Sequence, residues 1–362
     1  MKILHLPTST GGNSWGLSQA ERKLGHNSQV LIADRNPFQY QADIKITTSF
    51  GEKTRFPLIS DITSGYNLFK AFIKVRNLYD VFHFNFGKSL LDFPSLGLNL
   101  LDIPYYPKKS KIIVTYNGCD ARQKRGTMKR TKVSACHQKM CYGGVCTNQT
   151  DQQKIKNIQK FSHYSSHIFA LNPDLLHFLP NEKASFLPYT IHGWDSVSNH
   201  QLTFPKDDKI VIVHAPSQPV AKGTPYLLQS IDRLQKEYPN KFDFILIQNL
   251  PHQKALEIYL KADLIIDQLL VGWYGAFAVE AMAMGKPVAA YIREEDLFFI
   301  PDKMRDDLLE SIINVSIHSI YENLRYIIEN PKVLNFYAKK CQKYAETWHN
   351  PITIAKTALS YY

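Results

Sequence analysis

Short apolar runs alternate with helix-length amphipathic stretches along most of the chain, and this alternation constrains the fold more than any other feature. The run KILHL (2–6) precedes a glycine-rich loop and a helix-length stretch, DVFHFNFG (80–87) follows the helix-length stretch GYNLFKAFIKVRNL, and KIIVTYNG (111–118) is a further apolar run. Apolar runs of this length, separated by amphipathic helices, are typical of a parallel sheet with crossover helices. The sequence therefore predicts an α/β protein.

A polar segment, HGWDSVSNHQLTFPKDD (192–208), interrupts the alternation, which then resumes. A chain of 362 residues is long enough for two α/β domains. We predict one Rossmann-like domain over residues 1–195, a second over residues 205–345, and a C-terminal helix over residues 346–362 that packs back toward the first domain.

Composition restricts the environment and the partners. No stretch approaches the ~18 consecutive apolar residues of a membrane span, and the N-terminus lacks a signal-peptide core, so we expect a cytoplasmic protein. The formal net charge of +11 favours anionic partners. Nucleotide phosphates, nucleic acid and an anionic membrane surface all remain open, the last with a peripheral location at the inner face of the membrane.

The segment VGWYGAFAVEAMAMGKPVAAY (271–291) carries the most information. It predicts a helix from Ala276 to Met284, because Gly285 suits the C-terminal cap and Pro287 prevents continuation. Glu280 is the only charge on that helix, and a buried carboxylate needs hydrogen-bond donors. Ribose hydroxyls would supply them; a nearby Lys or Arg is the alternative. The turn at Tyr274 and Gly275 and the helix start at Ala276 offer unpaired amides to a diphosphate.

This segment resembles the signature of the retaining family-4 glycosyltransferases. Val279 to Ala283, with Gly285 and Pro287, match the family pattern, whereas Gly272 stands where the family has its first Glu. The resemblance implies the GT-B fold, two Rossmann-like domains with a cleft between them, and a ribose-binding role for Glu280.

Two further segments resemble the same family. Lys222, in VIVHAPSQPVAKGTPYLL (211–228), matches the family Lys-Gly pair, which implies that it binds the donor diphosphate and stabilises the leaving group. The family Arg a few residues earlier is absent. Gly11, Gly12 and Asn13 follow the first strand, where GT-B enzymes bring backbone close to donor phosphates; a plain glycine turn is the alternative.

The loop after the strand at 111–116 reads YNGCDAR and resembles a His-Gly-x-Asp segment of the family. Asn117 replaces the His, and Asn cannot shuttle a proton. Asp120 remains, and we infer that it either orients substrate hydroxyls as a catalytic residue or caps its loop.

A long basic loop follows, over residues 119–146. Arg122, Lys124 and Arg125 lie at its start, and we expect them to face an anionic acceptor, a membrane surface or solvent. Cys136, Cys141 and Cys146 have ligand types that suit a structural zinc ion, but their spacing lacks a Cys-x-x-Cys pair, so reduced thiols are the alternative.

The sequence predicts a glycosyltransferase that moves a hexose-type sugar from a UDP- or GDP-sugar to a hydroxyl acceptor, either a glycan or a lipid-linked precursor, with retention. No cofactor is required for catalysis, because no Asp-x-Asp metal motif stands at a strand end. Two alternatives remain. The positive charge permits a DNA-base glycosyltransferase, and Gly272 with Asn117 permits a non-catalytic nucleotide-sugar-binding homologue.

Overall fold

The computed structural model describes residues 1–33, 40–48, 57–198, 200–202 and 209–362. Residues 199 and 203–208 of the polar segment at 192–208 lie outside the described residues. The chain divides into two compact units. The first unit comprises Met1–Arg122, Gln152–His192 and Pro351–Tyr362, and the second comprises Gln123–Asp151 and Gly193–Asn350.

The first unit is built on a seven-stranded parallel sheet with the strand order β3-β2-β1-β4-β5-β6-β7. Its strands are β1 Lys2–Leu6, β2 Asn27–Ile32, β3 Ile44–Lys45, β4 Val81–Asn85, β5 Lys111–Tyr116, β6 His167–Ala170 and β7 Ala184–Phe186. Its α-helices are α1 Asn13–Lys23, α2 Pro57–Val75, most of α4 Asn148–Tyr164 and α13 Pro351–Leu359, with 3₁₀ turns at Thr10–Gly12, Pro94–Leu96, Ile103–Tyr105 and Pro173–Phe178.

The second unit is built on a five-stranded parallel sheet with the order β12-β11-β10-β8-β9. Its strands are β8 Ile210–His214, β9 Phe242–Leu246, β10 Leu264–Ile266, β11 Val288–Ala290 and β12 Ile313–Asn314. Its helices are α3 Lys124–Arg130, α5 Trp194–Val197, α6 Pro219–Lys222, α7 Thr224–Glu237, α8 His252–Tyr259, α9 Ala276–Ala283, α10 Asp302–Ser311, α11 Ile320–Glu329 and α12 Val333–Trp348, with 3₁₀ turns at Ala135–His137, Cys141–Gly144 and Glu294–Phe299.

Every strand pair in both sheets is parallel, as expected where helices connect successive strands across the sheet. In the first sheet Leu4 of β1 is in register with Phe82 of β4, and in the second Ile265 of β10 is in register with Val213 of β8. The strand β4 is buried along its whole length, as expected for a sheet covered on both faces. The α/β class predicted from the alternation is therefore confirmed.

Helix α1 packs tightly on the segment that follows β7, and glycines make this approach possible. A Cβ atom on Gly16 would lie 2.4 Å from the backbone oxygen of Ile191, and one on Gly12 would lie 2.6 Å from Cβ of His192. Gly12 also has a φ of +72°, which L side chains rarely adopt. These glycines are thus required for packing within the first unit.

Most of the basic loop, from Gln123 onward, groups with the second unit, although its position in the sequence predicts that it belongs to the first domain. Two contacts explain this placement. Arg130 forms an ion pair with Asp296 through Nη1 and Oδ1 at 2.5 Å, and the backbone amide of Ala135 donates to the oxygen of Leu270 at 3.1 Å.

Among the described residues, no helix combines the length and apolar character needed to cross a membrane.

Candidate nucleotide-binding site

The loop between β10 and α9 is shaped by one buried amide. Oε1 of Gln268 accepts hydrogen bonds from the backbone amides of Leu270 at 2.9 Å and Val271 at 2.5 Å. Its Nε2 donates to the backbone oxygens of Trp273 at 3.0 Å and Tyr291 at 2.7 Å. This side chain fixes a loop at the carboxyl end of a parallel strand, the edge at which ligands bind in open α/β sheets.

Helix α9 begins with backbone amides that the protein leaves unpaired. The amide of Gly275 donates to Oδ2 of Asp267 at 2.7 Å, so this first donor is satisfied. The amides of Ala276 and Phe277 make no hydrogen bond within the described part of the chain, and both residues are half-buried. The positive end of the helix dipole and two unused donors therefore meet at one spot, which suits an anion.

Lys222 lies beside this helix start. Its Nζ donates to Oδ1 of Asp267 at 2.6 Å, and it lies 3.4 Å from the position that a Cβ atom would take on Gly275. The Lys222 side chain is 19% exposed, whereas that of Asp267 is fully buried. The Asp267 carboxylate thus holds an ammonium group and a helix start together, and the ammonium keeps N–H groups for an incoming ligand.

The neutral histidine His214 stabilises the strand and helix ends beside Lys222 and Asp267. Nδ1 of His214 lies 2.7 Å from the backbone oxygen of Ile266, and Nε2 lies 2.8 Å from Oγ1 of Thr224. Burial lowers the pKa of His214 to about 4. His214 therefore ties the end of β8 to the start of α7 without adding charge next to Lys222.

Glu280, the lone acid of α9, has a partner that sequence reasoning missed. Nε2 of His252 lies 2.8 Å from Oε1 of Glu280, and both side chains are largely buried. Burial raises the pKa of Glu280, and the hydrogen bond and charge of His252 offset only part of that rise. Burial lowers the pKa of His252, but the hydrogen bond and charge of Glu280 outweigh it, so the pKa of His252 is raised. Oε2 of Glu280 accepts no hydrogen bond from the described residues.

The Tyr274 side chain points into the core, so only its backbone forms part of the loop before α9. It is fully buried, and its hydroxyl lies 2.8 Å from the hydroxyl of Tyr344 and 2.8 Å from Nε2 of His349. Its ring also stacks on that of Trp273, with centroids 4.4 Å apart. The side chain anchors the turn in the core.

A guanidinium group lies beside Gly272, the sequence position at which the resembled family has its first Glu. The backbone amide of Arg293 donates to the oxygen of Gly272 at 3.0 Å, and Cζ of Arg293 lies 3.2 Å from the position of a Cβ on Gly272. The side chain is 5% exposed, with Nη1 3.3 Å from Oδ2 of Asp296 and Nη2 donating to the oxygen of Val133 at 3.2 Å. The loop at Gly272 thus has a basic neighbour in place of an acidic one.

The remaining predicted site residues lie in the first unit or in the basic loop. Oδ1 of Asn13 accepts from the amide of Thr190 at 2.9 Å, and Gly11 has a φ of +62° beside it. Asp120 is half-buried and caps its loop, because its carboxylate accepts hydrogen bonds from the amides of Asn117 at 2.9 Å and Gly118 at 2.6 Å. Burial raises the pKa of Asp120. The roles of Gly11, Gly12, Asn13 and Asp120 in catalysis or donor binding stay predictions.

Both polar atoms of the Asn117 side-chain amide, Nδ2 and Oδ1, are buried without a hydrogen-bond partner among the described residues. Its backbone oxygen is used, since it accepts Nδ2 of Asn172 at 2.7 Å. An orphaned buried amide is unusual in a folded protein and is often explained by a functional role.

The three basic residues at the start of the loop have different surroundings. Arg122 is buried and binds Asp174 with Nε at 2.6 Å and Nη2 at 2.8 Å, so it is not part of an anionic-acceptor surface in this structure. Nζ of Lys124 donates to the oxygen of Cys146 at 3.4 Å. Arg125 is exposed. Of these three, Arg125 alone presents its charge fully to solvent.

The cysteines of the loop do not form a metal-ligand group. All five cysteines of the chain are described, and none is in a disulfide. Within the described ranges, no set of three or more His, Cys, Asp and Glu side chains is arranged to hold a metal ion, and this includes Cys136, Cys141 and Cys146. Bound zinc at these cysteines stays a prediction that needs a direct metal assay.

Comparisons with known proteins identify the fold. No protein-family model matches the chain, and no curated protein matches it. Among solved structures, the chain is similar to sucrose-phosphate synthase from Thermosynechococcus elongatus, with a TM-score of 0.60 and 14% identity over 99% of this chain and 98% of that one. It is also similar to WaaG, a glycosyltransferase involved in lipopolysaccharide biosynthesis, with a TM-score of 0.55 and 12% identity over 99% and 98%.

A third similar structure is UDP-GlcNAc 2-epimerase from Neisseria meningitidis bound to UDP-GlcNAc, with a TM-score of 0.51 and 14% identity over 99% of both chains. At these identities the likeness establishes the fold. The chain has the GT-B fold, with two Rossmann-like units, as the sequence predicted.

Proposed function

We propose that this chain is a glycosyltransferase that binds a nucleotide-diphosphate sugar in its second unit and transfers the sugar to a hydroxyl acceptor. The observation that supports it is the grouping of Lys222, the unpaired amides of Ala276 and Phe277, and Glu280 around one short helix. Cation, amides and carboxylate are the groups that a diphosphate followed by a ribose would require. Solved structures with this fold include glycosyltransferases and an enzyme bound to UDP-GlcNAc.

The diphosphate oxygens accept hydrogen bonds from the amides of Ala276 and Phe277 and from Nζ of Lys222. As the bond between the sugar and the phosphate breaks, negative charge builds up on the leaving diphosphate, and Lys222 stabilises it. Oε2 of Glu280 accepts a ribose hydroxyl while His252 keeps Oε1. The resembled family is retaining, and in it the leaving phosphate takes the acceptor proton, so no separate protein base is required here.

The finer assignments follow the resemblance. The donor is a UDP- or GDP-sugar, the acceptor is a glycan or a lipid-linked precursor, and transfer proceeds with retention and without a divalent metal. Transfer that persists in EDTA would support metal independence. The anomeric configuration of the product, read by NMR, tests retention.

A thermal-shift screen of nucleoside diphosphates and their sugars tests the donor site. A ligand at ~100 times its dissociation constant adds about 2.7 kcal/mol to the free energy of unfolding, so a true ligand raises Tm. Glu280→Ala and Lys222→Ala should each remove the shift. Lys261→Ala, which changes an exposed lysine of the same unit, should keep it. A shift that survives Glu280→Ala contradicts the site.

A non-catalytic homologue is the second candidate, because Gly272 and Asn117 replace an acid and a histidine of the resembled family. Binding of a sugar nucleotide without hydrolysis or transfer, across a panel of glycan and lipid acceptors, favours it. Any turnover that Lys222→Ala abolishes removes it.

A further inference from the structure

Helix α2 presents an apolar stripe to solvent. Four large side chains along it are at least half exposed: Ile62 is 64% exposed, Tyr66 63%, Phe69 52% and Ile73 50%. Their spacing of four, three and four residues places them within an arc of roughly 60° on one face of the helix. Exposed apolar residues scattered singly need no explanation, but a contiguous stripe of four indicates an interaction surface.

The opposite face of α2 already provides the contacts of the helix with the core. Leu68, Phe72 and Val75 are buried, and the ring of Phe72 packs edge-on against Tyr106 with centroids 5.4 Å apart. The exposed stripe is therefore not required to hold α2 in the first unit. Its four apolar side chains are a second hydrophobic face on a helix that is already anchored.

A neighbouring loop extends the stripe. A Cβ atom on Gly65 would lie 4.0 Å from Cε1 of Phe93, so the 3₁₀ turn after Phe93 lies beside α2. Leu96 on that turn is 71% exposed, and Leu98 after it is 46% exposed. Helix and loop together form one apolar patch, which we call the α2 patch: Ile62, Tyr66, Phe69, Ile73, Leu96 and Leu98.

One flank of the α2 patch is basic. Lys70 and Lys74 are exposed on the same helix. Asp61 is the only acidic residue between residues 57 and 79. A helix with large apolar side chains on one face and lysines beside them is the arrangement that binds an anionic lipid interface.

We propose that the α2 patch docks on the surface of an anionic lipid bilayer, with the helix in the plane of the interface. The apolar side chains enter the boundary between headgroups and acyl chains, and Lys70 and Lys74 lie against the lipid phosphates. A second copy of the chain fits the charges less well, because a self-complementary interface would bring this excess of lysines together with one Asp61 from each copy. The proposal does not depend on the chemistry at Lys222 and Glu280.

Vesicle co-sedimentation of the full chain tests the proposal. We expect binding to vesicles that mix phosphatidylcholine with phosphatidylglycerol, weaker binding to phosphatidylcholine alone, and a decrease with added salt. Phe69→Ser should lower the partition coefficient about tenfold, since it removes a large apolar side chain from the lipid contact. The double variant Lys70→Glu and Lys74→Glu should remove the preference for phosphatidylglycerol.

Phe336→Ser is the matched control. Phe336 lies on α12 in the second unit and is 52% exposed, the same fraction as Phe69, so its loss should leave vesicle binding unchanged. Circular dichroism checks that each variant folds. The proposal is wrong if Phe69→Ser binds as the wild type does, if the wild type binds neither kind of vesicle, or if the wild type is a dimer that Phe69→Ser dissociates.

Discussion

Oε1 of Glu280 and Nε2 of His252 lie 2.8 Å apart although 28 residues separate them in sequence. This pair is formed between α8 and α9, and it supplies the hydrogen-bond donor that a carboxylate on an apolar helix requires. The sequence offered a ribose or a nearby Lys or Arg as the partner; the structure gives a histidine on one oxygen and leaves the other unpaired among the described residues. The pair thus orients Glu280 and leaves its Oε2 able to accept a hydrogen bond from a ligand.

Replacing His252 by glutamine should weaken the protein more at pH 6 than at pH 9. The pKa of His252 is raised above its ordinary value of 6.5, so its contribution to stability is fully present below pH 6.5 and is lost as the pH rises through the folded-state value. At pH 6 the loss of a charge-assisted hydrogen bond should cost about 2 kcal/mol. Urea unfolding at both pH values measures this difference.

Glu280 acts in the same direction at lower pH. Its raised pKa means that the folded state holds the proton more tightly, so stability falls as the pH rises from about 4.5, before His252 deprotonates. Glu280→Gln should remove the loss of stability that begins at about pH 4.5, whereas His252→Gln should remove the loss that occurs as His252 deprotonates. Equal destabilisation of the His252→Gln variant at pH 6 and pH 9 would show that the pair does not favour the protonated form of His252.

Removal of the Lys222 side chain should cost stability as well as donor binding. Asp267 is fully buried, so Lys222→Met leaves a buried carboxylate whose remaining hydrogen-bond donor among the described residues is the amide of Gly275. Breaking such a pair costs about 3 kcal/mol, and Lys222→Met with Asp267→Asn should recover most of it. Neither variant should bind a nucleoside diphosphate. A single variant as stable as the wild type would show that the ion pair is not formed in solution.

Gly275→Ala separates binding from folding. Gly275 has a φ of −108°, which any residue adopts, and an added Cβ would meet Nζ of Lys222 at 3.4 Å, an ordinary contact. The free energy of unfolding should change by less than ~0.5 kcal/mol. The methyl group would occupy the approach to the amides of Ala276 and Phe277, so the dissociation constant of the diphosphate should rise about tenfold, a loss of ~1.4 kcal/mol.

Gly65→Ala provides the comparison, because an added Cβ there has a single neighbour, at 4.0 Å, and lies in the other unit. Isothermal titration calorimetry with UDP and GDP measures both variants. Unchanged affinity in Gly275→Ala would place the phosphates elsewhere.

Local signals predicted the fold and the helix of the site. Helix α9 starts at Ala276 as expected and ends at Ala283, one residue before the predicted end, because Gly285 adopts a φ of +70° and Pro287 follows. Strands β3 and β12 were not predicted, since each has two residues and gains its structure from pairing with a neighbour. Patterns that repeat along the chain are visible in one sequence, whereas two-residue edge strands are not.

Partners across the fold could not be predicted. His252 begins α8 and Arg293 follows β11, and nothing near either residue indicates that it meets Glu280 or Gly272. Gln268 follows a strand at a position similar to cleft residues of the resembled family, but nothing in the sequence indicates the four hydrogen bonds with which it shapes the loop. These roles depend on long-range packing, which the periodicity of a single chain does not encode.

Asn117→Leu should stabilise the protein while it impairs transfer. The Asn117 amide is buried, and its Nδ2 and Oδ1 have no hydrogen-bond partner in the described residues, so each pays a desolvation penalty in the unliganded state. A leucine of similar shape removes that penalty and should raise the free energy of unfolding by about 1 kcal/mol. The family resemblance places Asn117 near substrate, so sugar transfer should fall.

Asn172→Leu is the opposite case in the same region. Nδ2 of Asn172 donates to the Asn117 oxygen at 2.7 Å, and its Oδ1 accepts the Tyr189 hydroxyl at 2.9 Å, so its loss should destabilise by about 2 kcal/mol. Chemical unfolding and a transfer assay on both variants separate the two roles. If Asn117→Leu destabilises the protein as much as Asn172→Leu does, the Asn117 amide has a structural partner in solution and is not available to bind a ligand.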